Sequence, residues 1–249
     1  VIVATPGRLL DIIEQGHCDL GAIEVLVIDE ADRMADLGFM PDVRKILEMT
    51  PSSRQTMLWS ATLDGDVNEL ITDFLKDPVR HDLVGAIDFG TVDHRFVVTH
   101  PMDRIEATVD LINATGPSVV FVKTRFGVDD VTAALMNAGV RAGSLHGART
   151  QQARQRTLDD FRRGKLQALV ATDVAARGIH VDNVDLVVHY DLPDNDKDYL
   201  HRSGRTGRAG RDGIVIALVP PSRQRVAKQL IETLAATVTW DQGSAPAER

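Results

Sequence analysis

Short apolar runs rich in β-branched residues alternate along this chain with segments of helical period. A parallel strand needs a crossover, usually a helix, before the chain can return to the same sheet, so this alternation predicts an α/β fold with parallel sheets. The predicted strands are 1–4, 24–28, 55–59, 95–99, 118–122, 141–145, 167–171, 185–190 and 213–219. The predicted helices are 6–15, 41–49, 65–76, 103–114, 127–138, 150–163 and 222–236.

The 249 residues suffice for two domains of ordinary size. Residues 83–94 show neither a strand nor a helix period and predict an interlobe linker. Residues 1–82 then form the C-terminal part of a first lobe, and residues 95–237 form a complete second lobe. Gly, Ser, Pro and Ala near the end predict a disordered tail over 238–249. Because the first lobe has too few elements and its first residues form an apolar run, we expect further sequence upstream.

The net charge of −8 argues, taken alone, against a partner as acidic as nucleic acid. The charge is unevenly distributed, however. Residues 1–82 hold 7 basic and 16 acidic groups, whereas residues 83–249 hold 21 and 20. Between positions 141 and 211 there are 13 basic and 9 acidic groups. A locally positive face on the second lobe is therefore compatible with binding a phosphate backbone, although charge does not establish it.

The longest apolar stretches are far shorter than the roughly 20 residues that a membrane-spanning helix requires. The N-terminus also lacks the pattern of a secretory signal. Cys18 is the single cysteine, which excludes an internal disulfide and suits a reducing compartment. We therefore expect a cytoplasmic protein without a membrane partner, and a monomer by default.

Two acidic residues, Asp29 and Glu30, follow the apolar run 25–28. Open α/β sheets bind ligands at the carboxyl ends of their strands. In nucleotide hydrolases an acid at this place holds Mg²⁺, and a neighbouring acid can orient the attacking water. A bare Asp-Glu pair is more often an ordinary turn with a helix cap, so the pair alone favours the structural interpretation.

A basic run, His-Arg-Ser-Gly-Arg-Thr-Gly-Arg, occupies residues 201–208. Arg205 and Arg208 lie three residues apart in what we predict to be a turn leading into a helix, so they are expected to point the same way. Gly204 and Gly207 would permit close backbone approach. Guanidinium groups bind phosphate oxygens bidentately, although a run of arginines is more commonly a solvated surface.

Together these runs resemble motifs II and VI of the DEAD-box RNA helicases of superfamily 2. Further motifs of that family follow in order: Thr5-Pro6-Gly7-Arg8 resembles motif Ib, Ser60-Ala61-Thr62 motif III, Gln151 and Arg154 the Gln-x-x-Arg motif, and residues 172–178 motif V. A weaker likeness to motif IV covers Phe121 and Thr124-Arg125, where Phe121 is expected to serve core packing. The resemblance implies two RecA-like lobes, the first incomplete and the second complete, of a bacterial-type helicase truncated at its N-terminus.

The resemblance also implies ATP and Mg²⁺ as cofactors. Asp29 would contact Mg²⁺ through water, and Glu30 would polarise the hydrolytic water. Arg205 and Arg208 would meet the phosphates, and Gly178 would complete the ATP-binding set. Residues that couple the two lobes would be Asp32, Ser60, Thr62 and His201, with Asp32 pairing with motif VI or motif III across the junction.

RNA would be held chiefly through its phosphates and sugars, because a motor has to be indifferent to sequence. The RNA-binding set implied by the resemblance is Thr5, Gly7 and Arg8 in the first lobe, and Gln151, Arg154, Thr172, Arg177 and Gly178 in the second. The aromatic content of 4% favours this backbone mode over base stacking.

Two features depart from the family pattern. Motif V ends in His180 where the family usually has an aspartate near the ATP ribose. Ribose binding is then altered, or Asp182 compensates, or the loop difference has little consequence. Secondly, no Gly-x-x-x-x-Gly-Lys-Ser/Thr sequence occurs in the chain. We therefore expect this chain alone neither to bind ATP well nor to hydrolyse it.

The leading hypothesis is an ATP-dependent RNA helicase that unwinds short duplexes or remodels RNA–protein complexes. A second hypothesis is a binding module that holds RNA or a protein partner without turnover. A third hypothesis is a DNA-directed motor of the same superfamily, which the amino-acid sequences of motifs II and VI disfavour.

Overall fold

The computed structural model describes residues 1–60, 62–63, 65–81, 92–176, 181, 184–207, 211–234 and 236–242. The chain divides into two compact units, Val1–Asp82 and Leu83–Arg249. Both units consist of parallel strands and helices, so the predicted α/β class is confirmed. No helix within the described ranges is long and apolar enough to traverse a bilayer.

The first unit contains a two-stranded parallel sheet, β1 (Val25–Ile28) and β2 (Gln55–Leu58). Its helices are α1 (Pro6–Glu14), α2 (Ala31–Asp36), α3 (Met40–Glu48) and α4 (Gly65–Phe74). Alternation in β1 turns Leu26 and Ile28 toward the hydrophobic core, where Ile28 joins Leu47 and Leu70. This packing fixes the carboxyl end of β1, from which the acidic residues follow.

The predicted strand 1–4 is wrong. These residues lie outside every helix and strand, and the side chains of Val1, Ile2 and Val3 are exposed. A strand is stable only when its backbone groups are paired with a neighbour, and in the described part of this unit β1 pairs only with β2. An apolar run alone therefore does not make a strand here.

The second unit contains seven parallel strands in the order β5-β6-β4-β7-β8-β3-β9. The strands are β3 (Val92–Val98), β4 (Ser118–Phe121), β5 (Ala142–Leu145), β6 (Ala168–Ala171), β7 (Leu186–His189), β8 (Gly213–Val219) and β9 (Val238–Asp241). The helices are α5 (Arg104–Thr115), α6 (Arg125–Asn137), α7 (Gln151–Arg162), α8 (Asp173–Ala176), α9 (Asp196–Ser203) and α10 (Gln224–Thr233), with short 3-10 turns at Pro101–Asp103 and Pro221–Arg223.

The central strands β4, β6 and β7 are buried along their whole length. Their unbroken apolar runs are typical of parallel strands covered by helices on both faces. Val119 and Phe121 belong to one hydrophobic core, whereas Val120 and Val122 belong to the other. The carboxyl ends of these strands meet at one edge of the sheet, and the loops that follow them carry the predicted site residues.

Two predicted boundaries need correction. The tail predicted over 238–249 begins with β9, which pairs with β3 and stacks Trp240 on Phe96 at 6.4 Å between ring centroids. The linker predicted over 83–94 overlaps β3, which begins at Val92. Both strands are stabilised by long-range pairing, which local composition does not report. The remaining parts, 83–91 and 243–249, lie outside the described residues.

Candidate functional site

The carboxyl end of β1 carries the predicted acidic pair in an exposed position. The backbone N–H of Glu30 donates to Asp29 Oδ1 at 2.9 Å, which orients that carboxylate. Glu30 caps α2 with φ 51° and ψ 48°, in the left-handed region. A residue with a side chain pays about 1–2 kcal/mol there, and strain of this kind concentrates at functional sites.

A second contact joins the ends of β1 and β2. The backbone N–H of Asp32 donates to Ser60 Oγ at 3.0 Å, and Ser60 Oγ donates to the Thr62 carbonyl at 2.5 Å. Asp32 is only 4% exposed. The sequence left open whether Asp32 meets motif III or motif VI. In the first unit its amide contacts motif III directly, and the coupling roles of Asp32, Ser60 and Thr62 stay predictions.

The acidic pair fits the magnesium role that the resemblance implies. Mg²⁺ keeps several waters and is usually held by one or two protein carboxylates together with substrate phosphates. Asp29 offers one oriented, exposed carboxylate, which suits such a loosely coordinated ion. Among the described residues there is no cluster of three or more His, Cys, Asp or Glu side chains that would enclose a metal without phosphate.

The predicted RNA residues of the first unit gather at the start of α1. Thr5 is the N-cap in an extended conformation, yet its side chain makes no capping hydrogen bond. Arg8 is exposed and pairs with Asp11. A Cβ atom added at Gly7 would meet only Asp42 Oδ2, at 3.9 Å, so packing does not require glycine there. The first backbone N–H groups of a helix have no partner within it and suit a phosphate.

In the second unit, Gln151 and Arg154 lie in the first turn of α7. Arg154 Nη1 donates to Gln151 Oε1 at 3.2 Å, so the two predicted RNA residues contact each other. Thr172 follows β6 and donates its N–H to the carbonyl of Leu145 at the end of β5, at 3.3 Å. Because β5 and β6 are adjacent and parallel, Thr172 and α7 follow the same edge of the sheet. Arg177, Gly178, His180 and Asp182 lie outside the described residues.

The basic run differs from its prediction in shape. Its first part is the end of α9, and residues 204–207 form turns after the helix, so the segment is a helix leading into a turn. Helical spacing therefore does not align Arg205 with Arg208, and Arg208 lies outside the described residues. Arg205 and His201 do come together, lining a small open pocket beside Asp173 and Arg202.

The two glycines of that turn have different roles. Gly207 has φ +67°, and a Cβ there would lie 2.2 Å from Val92 Cγ2. Both its conformation and its packing therefore require glycine. Gly204 has φ −67°, which any residue adopts. The predicted close approach is thus needed at Gly207, where the turn packs against β3.

Sequence reasoning missed Arg202, an arginine of the basic run that is buried at 4% exposure. Its Nε and Nη2 donate to both carboxylate oxygens of Asp173 at 2.6 and 2.7 Å. Its Nη1 donates to the carbonyl of Asp191 at 2.7 Å. Asp173 directly follows Thr172, so this bidentate pair links the start of α8 to the helix that precedes Arg205. The one sequence feature that could have indicated this pair is Asp173, an acidic residue next to the predicted RNA residue Thr172.

A cluster of buried polar side chains, His94, His189 and Tyr199, packs at α9 on a side away from Asp173. Tyr199 Oη and His94 Nδ1 are 2.9 Å apart, and the Tyr199 ring stacks on His189 at 4.5 Å. His189 Nε2 lies 3.3 Å from Ser203 Oγ at the end of the helix. Burial, together with the nearby Arg202 charge, holds the pKa of His189 well below 6.5. Burial also lowers the pKa of His94 and raises that of Tyr199, so all three groups stay neutral at pH 7.

Comparison with known proteins agrees with this geometry. The family model of DEAD/DEAH box helicases matches residues 1–70, and that of the helicase conserved C-terminal domain matches residues 103–210. A crystal structure of a hypothetical ATP-dependent RNA helicase from Sulfolobus tokodaii is 36% identical, with 92% of this chain and 67% of that chain covered and a TM-score of 0.51. This chain belongs to the DEAD-box helicase family.

Among curated DEAD-box relatives, the ATP-dependent RNA helicase DBP2 of Chaetomium thermophilum is 40% identical over 245 residues. The alignment covers 94% of this chain and 44% of the relative, so the chain spans less than half of that protein. Dbp5 of S. cerevisiae bound to RNA and ADP BeF3 has a TM-score of 0.84 at 29% identity, covering 97% of this chain and 65% of that one.

The two RecA-like folds implied by the DEAD-box motifs are thus confirmed by these structural neighbours. The bacterial type is not supported, because the curated relatives compared are fungal.

Proposed function

We propose that this DEAD-box chain is the core of an ATP-dependent RNA helicase, which couples ATP hydrolysis to unwinding of RNA duplexes or remodelling of RNA–protein complexes. The observation that carries the proposal is Glu30 in a strained left-handed conformation beside the oriented carboxylate of Asp29. The relatives named as ATP-dependent RNA helicases support it. Because the chain spans less than half of those relatives, the activity of the whole protein rests on experiment.

In this proposal Asp29 would hold Mg²⁺ through water, and the ion would supply positive charge that stabilises the phosphates. Glu30 would orient the attacking water and accept its proton. Arg205 and Arg208 bind phosphate oxygens, and Gly178 contributes to nucleotide binding. Arg202 is a positioning residue, because its charge is already engaged by Asp173 and its guanidinium fixes the end of α9.

RNA binds through its backbone in this proposal. The start of α1 offers unpaired N–H groups with Thr5, Gly7 and Arg8, and the start of α7 offers Gln151 and Arg154. Thr172, Arg177 and Gly178 complete the set. The Dbp5 neighbour bound to RNA supports RNA as the ligand. The cytoplasmic location and the monomeric state stay predictions.

The test is RNA-stimulated ATP hydrolysis by the whole protein. Glu30→Gln is expected to lower kcat by at least the 10²-fold or so typical of a lost general base, while RNA affinity is retained. Glu14→Gln, which removes an exposed carboxylate on α1, serves as the matched control. Wild-type protein that binds RNA without hydrolysis would favour the binding module, and stimulation by duplex DNA would favour the DNA motor.

This chain by itself is expected to bind RNA weakly and in a salt-sensitive way, because its contacts are to phosphates. It is also expected to show no turnover. RNA-stimulated hydrolysis by this exact chain would contradict the expectation that the phosphate-binding loop is required.

A further inference from the structure

The first turn of α6 carries an aromatic side chain that the packing of the helix leaves in solvent. Phe126 is 70% exposed, whereas Val128 and Leu135 of the same helix are fully buried. Two residues along an α-helix are separated by roughly 200°, so a ring at position 126 points away from the face that Val128 buries. A single exposed apolar side chain is ordinary on protein surfaces, so exposure alone does not define a site.

The backbone holds this turn firmly in place. The N–H of Gly127 donates to the side chain of Thr124, the N-cap, at 3.1 Å. A Cβ added at Gly127 would lie 2.9 Å from Val122 Cγ1, so the turn packs closely on the chain that leaves β4. The outward direction of Phe126 is therefore set by the fold and not by a free loop.

A cation lies over the exposed ring. The guanidinium carbon of Arg125 is 5.0 Å from the centroid of Phe126. In the portion of the chain that is described, Arg125 forms no ion pair with an acidic residue. Aromatic rings and guanidinium planes are the two surfaces on which unpaired nucleobases stack. The pair thus offers an aromatic face and a positive charge at one point.

The pair lies near the loop that leads into the predicted RNA-binding residues of α7. Residues three apart on a helix are neighbours, so Phe126 shares a face with Asp129. Asp129 Oδ1 lies 3.1 Å from His146 Nε2 and 3.4 Å from Arg149 Nη2, and both belong to the loop between β5 and α7. That loop leads directly into Gln151. These bonds join the turn that carries Phe126 to the turn that carries the predicted RNA contacts.

We propose that Phe126, together with Arg125, stacks against a base of single-stranded RNA whose backbone is held at the start of α7. This inference rests on the proposed RNA-binding function and adds to its backbone contacts a specific contact with a base. A base inside a duplex has both faces covered, so the contact selects unpaired RNA. Stacking is tolerant of base identity, so it adds affinity without making the protein sequence-specific.

The experiment measures binding of this chain to a single-stranded oligoribonucleotide that contains 2-aminopurine, at several salt concentrations. Phe126→Ala removes the ring, and Phe126→Tyr keeps an aromatic face. Met136→Ala is the matched control, because Met136 is 57% exposed in the last turn of the same helix, about 15 Å away along its axis. Arg154→Ala serves as the reference for a lost phosphate contact.

Phe126→Ala is expected to weaken binding roughly 5- to 150-fold, to leave the salt dependence unchanged and to abolish the quenching of 2-aminopurine on binding. Phe126→Tyr and Met136→Ala are expected to bind as the wild type does. Arg154→Ala is expected to weaken binding and to lower the slope of log affinity against log salt by about 1. Thermal unfolding at the wild-type temperature shows for each variant that the fold is retained.

An affinity and a quenching signal for Phe126→Ala equal to those of Met136→Ala would overturn the stacking inference. The stacking inference would also be overturned if Phe126→Tyr did not keep the wild-type affinity and the quenching of 2-aminopurine. If Arg154→Ala still weakened binding in either case, the proposed RNA-binding function would stand. Wild-type protein that binds no RNA would instead overturn both proposals.

Discussion

Removing Asp173 from its ion pair is expected to destabilise the second unit more than removing Arg202 does. The side chain of Arg202 is 5% exposed, whereas that of Asp173 is 24% exposed. Without Asp173 the guanidinium remains buried with an uncompensated charge, and breaking a buried pair in this way costs about 3–5 kcal/mol. Without Arg202 the carboxylate regains water through its open side.

Arg202→Met leaves an apolar chain that can still pack near Phe121, whose ring centroid lies 5.3 Å from the present guanidinium carbon. The remaining loss is that of hydrogen bonds to a charged group, about 1.5–3 kcal/mol. The double variant of Asp173→Ala and Arg202→Met removes both charges. It is therefore expected to be more stable than Asp173→Ala alone, since the buried charge is gone.

Urea unfolding of this chain measures the difference. Trp59 and Trp240 are the two tryptophans, so a Trp59→Phe background leaves Trp240 as a fluorescence reporter of the second unit. The exposed pair of Lys123 and Asp194 is the control, with side chains 54% and 63% exposed, and Asp194→Ala is expected to cost at most about 1 kcal/mol. Equal losses for Asp173→Ala and Arg202→Met, or strictly additive losses in the double variant, would refute the reasoning.

Three further outcomes are expected. The pKa of His189 lies well below 6.5 in the folded state, so as pH falls the unfolded state binds the proton first. The free energy of unfolding is therefore expected to fall as pH drops below about 6.5. In urea titrations His189→Phe should flatten this pH dependence and leave the part due to His94. Gly207→Ala should lower the free energy of unfolding by about 2–5 kcal/mol, because of the left-handed φ and the contact with Val92. Adding Val92→Ala should restore the part that is due to the contact. If it restores nothing, packing against Val92 is not the cause. Gly7→Ala should stabilise α1 by up to about 1 kcal/mol while weakening RNA binding, so a stabilised variant with unchanged affinity would remove Gly7 from the RNA site.

The central strands were predictable because each contains a continuous run of apolar residues, which is a local sequence pattern that indicates burial. Ser118-Val119-Val120-Phe121 is apolar enough to be covered on both faces, and β4 lies where the pattern indicates. Residues 1–4 show the same kind of pattern without forming a strand, since a strand depends on a neighbour that local sequence does not specify. β9 is the converse case. Its four residues alternate apolar and polar side chains, but so short a run did not stand out beside the composition of the tail, and the strand is ordered by pairing with β3.

In the candidate site, too, features that follow from local sequence were predicted and a long-range contact was missed. Asp29 and Ser60 follow strands of the first unit and Thr172 follows a strand of the second, as predicted, since within each sheet parallel strands bring their carboxyl ends to one edge. The bidentate contact of Arg202 with Asp173 was missed, because the two residues lie 29 positions apart and an arginine in a basic run is usually solvated. Short helices such as α9 offer too few turns for periodicity to show.

Glu30 and Gly7 show why the two predicted sites stand out from the rest of the fold. At Glu30 the backbone adopts a left-handed conformation in which glycine would be less strained, yet the sequence keeps a carboxylate. At Gly7 the φ angle is not positive and a Cβ has room, yet the sequence keeps glycine within a helix, where it is about 0.5–1 kcal/mol less stable than alanine. Local stability therefore explains neither residue. Both choices follow if Glu30 is retained for its carboxylate and Gly7 for the bare backbone that a phosphate can approach, since conflicts between local preference and sequence are expected at functional sites.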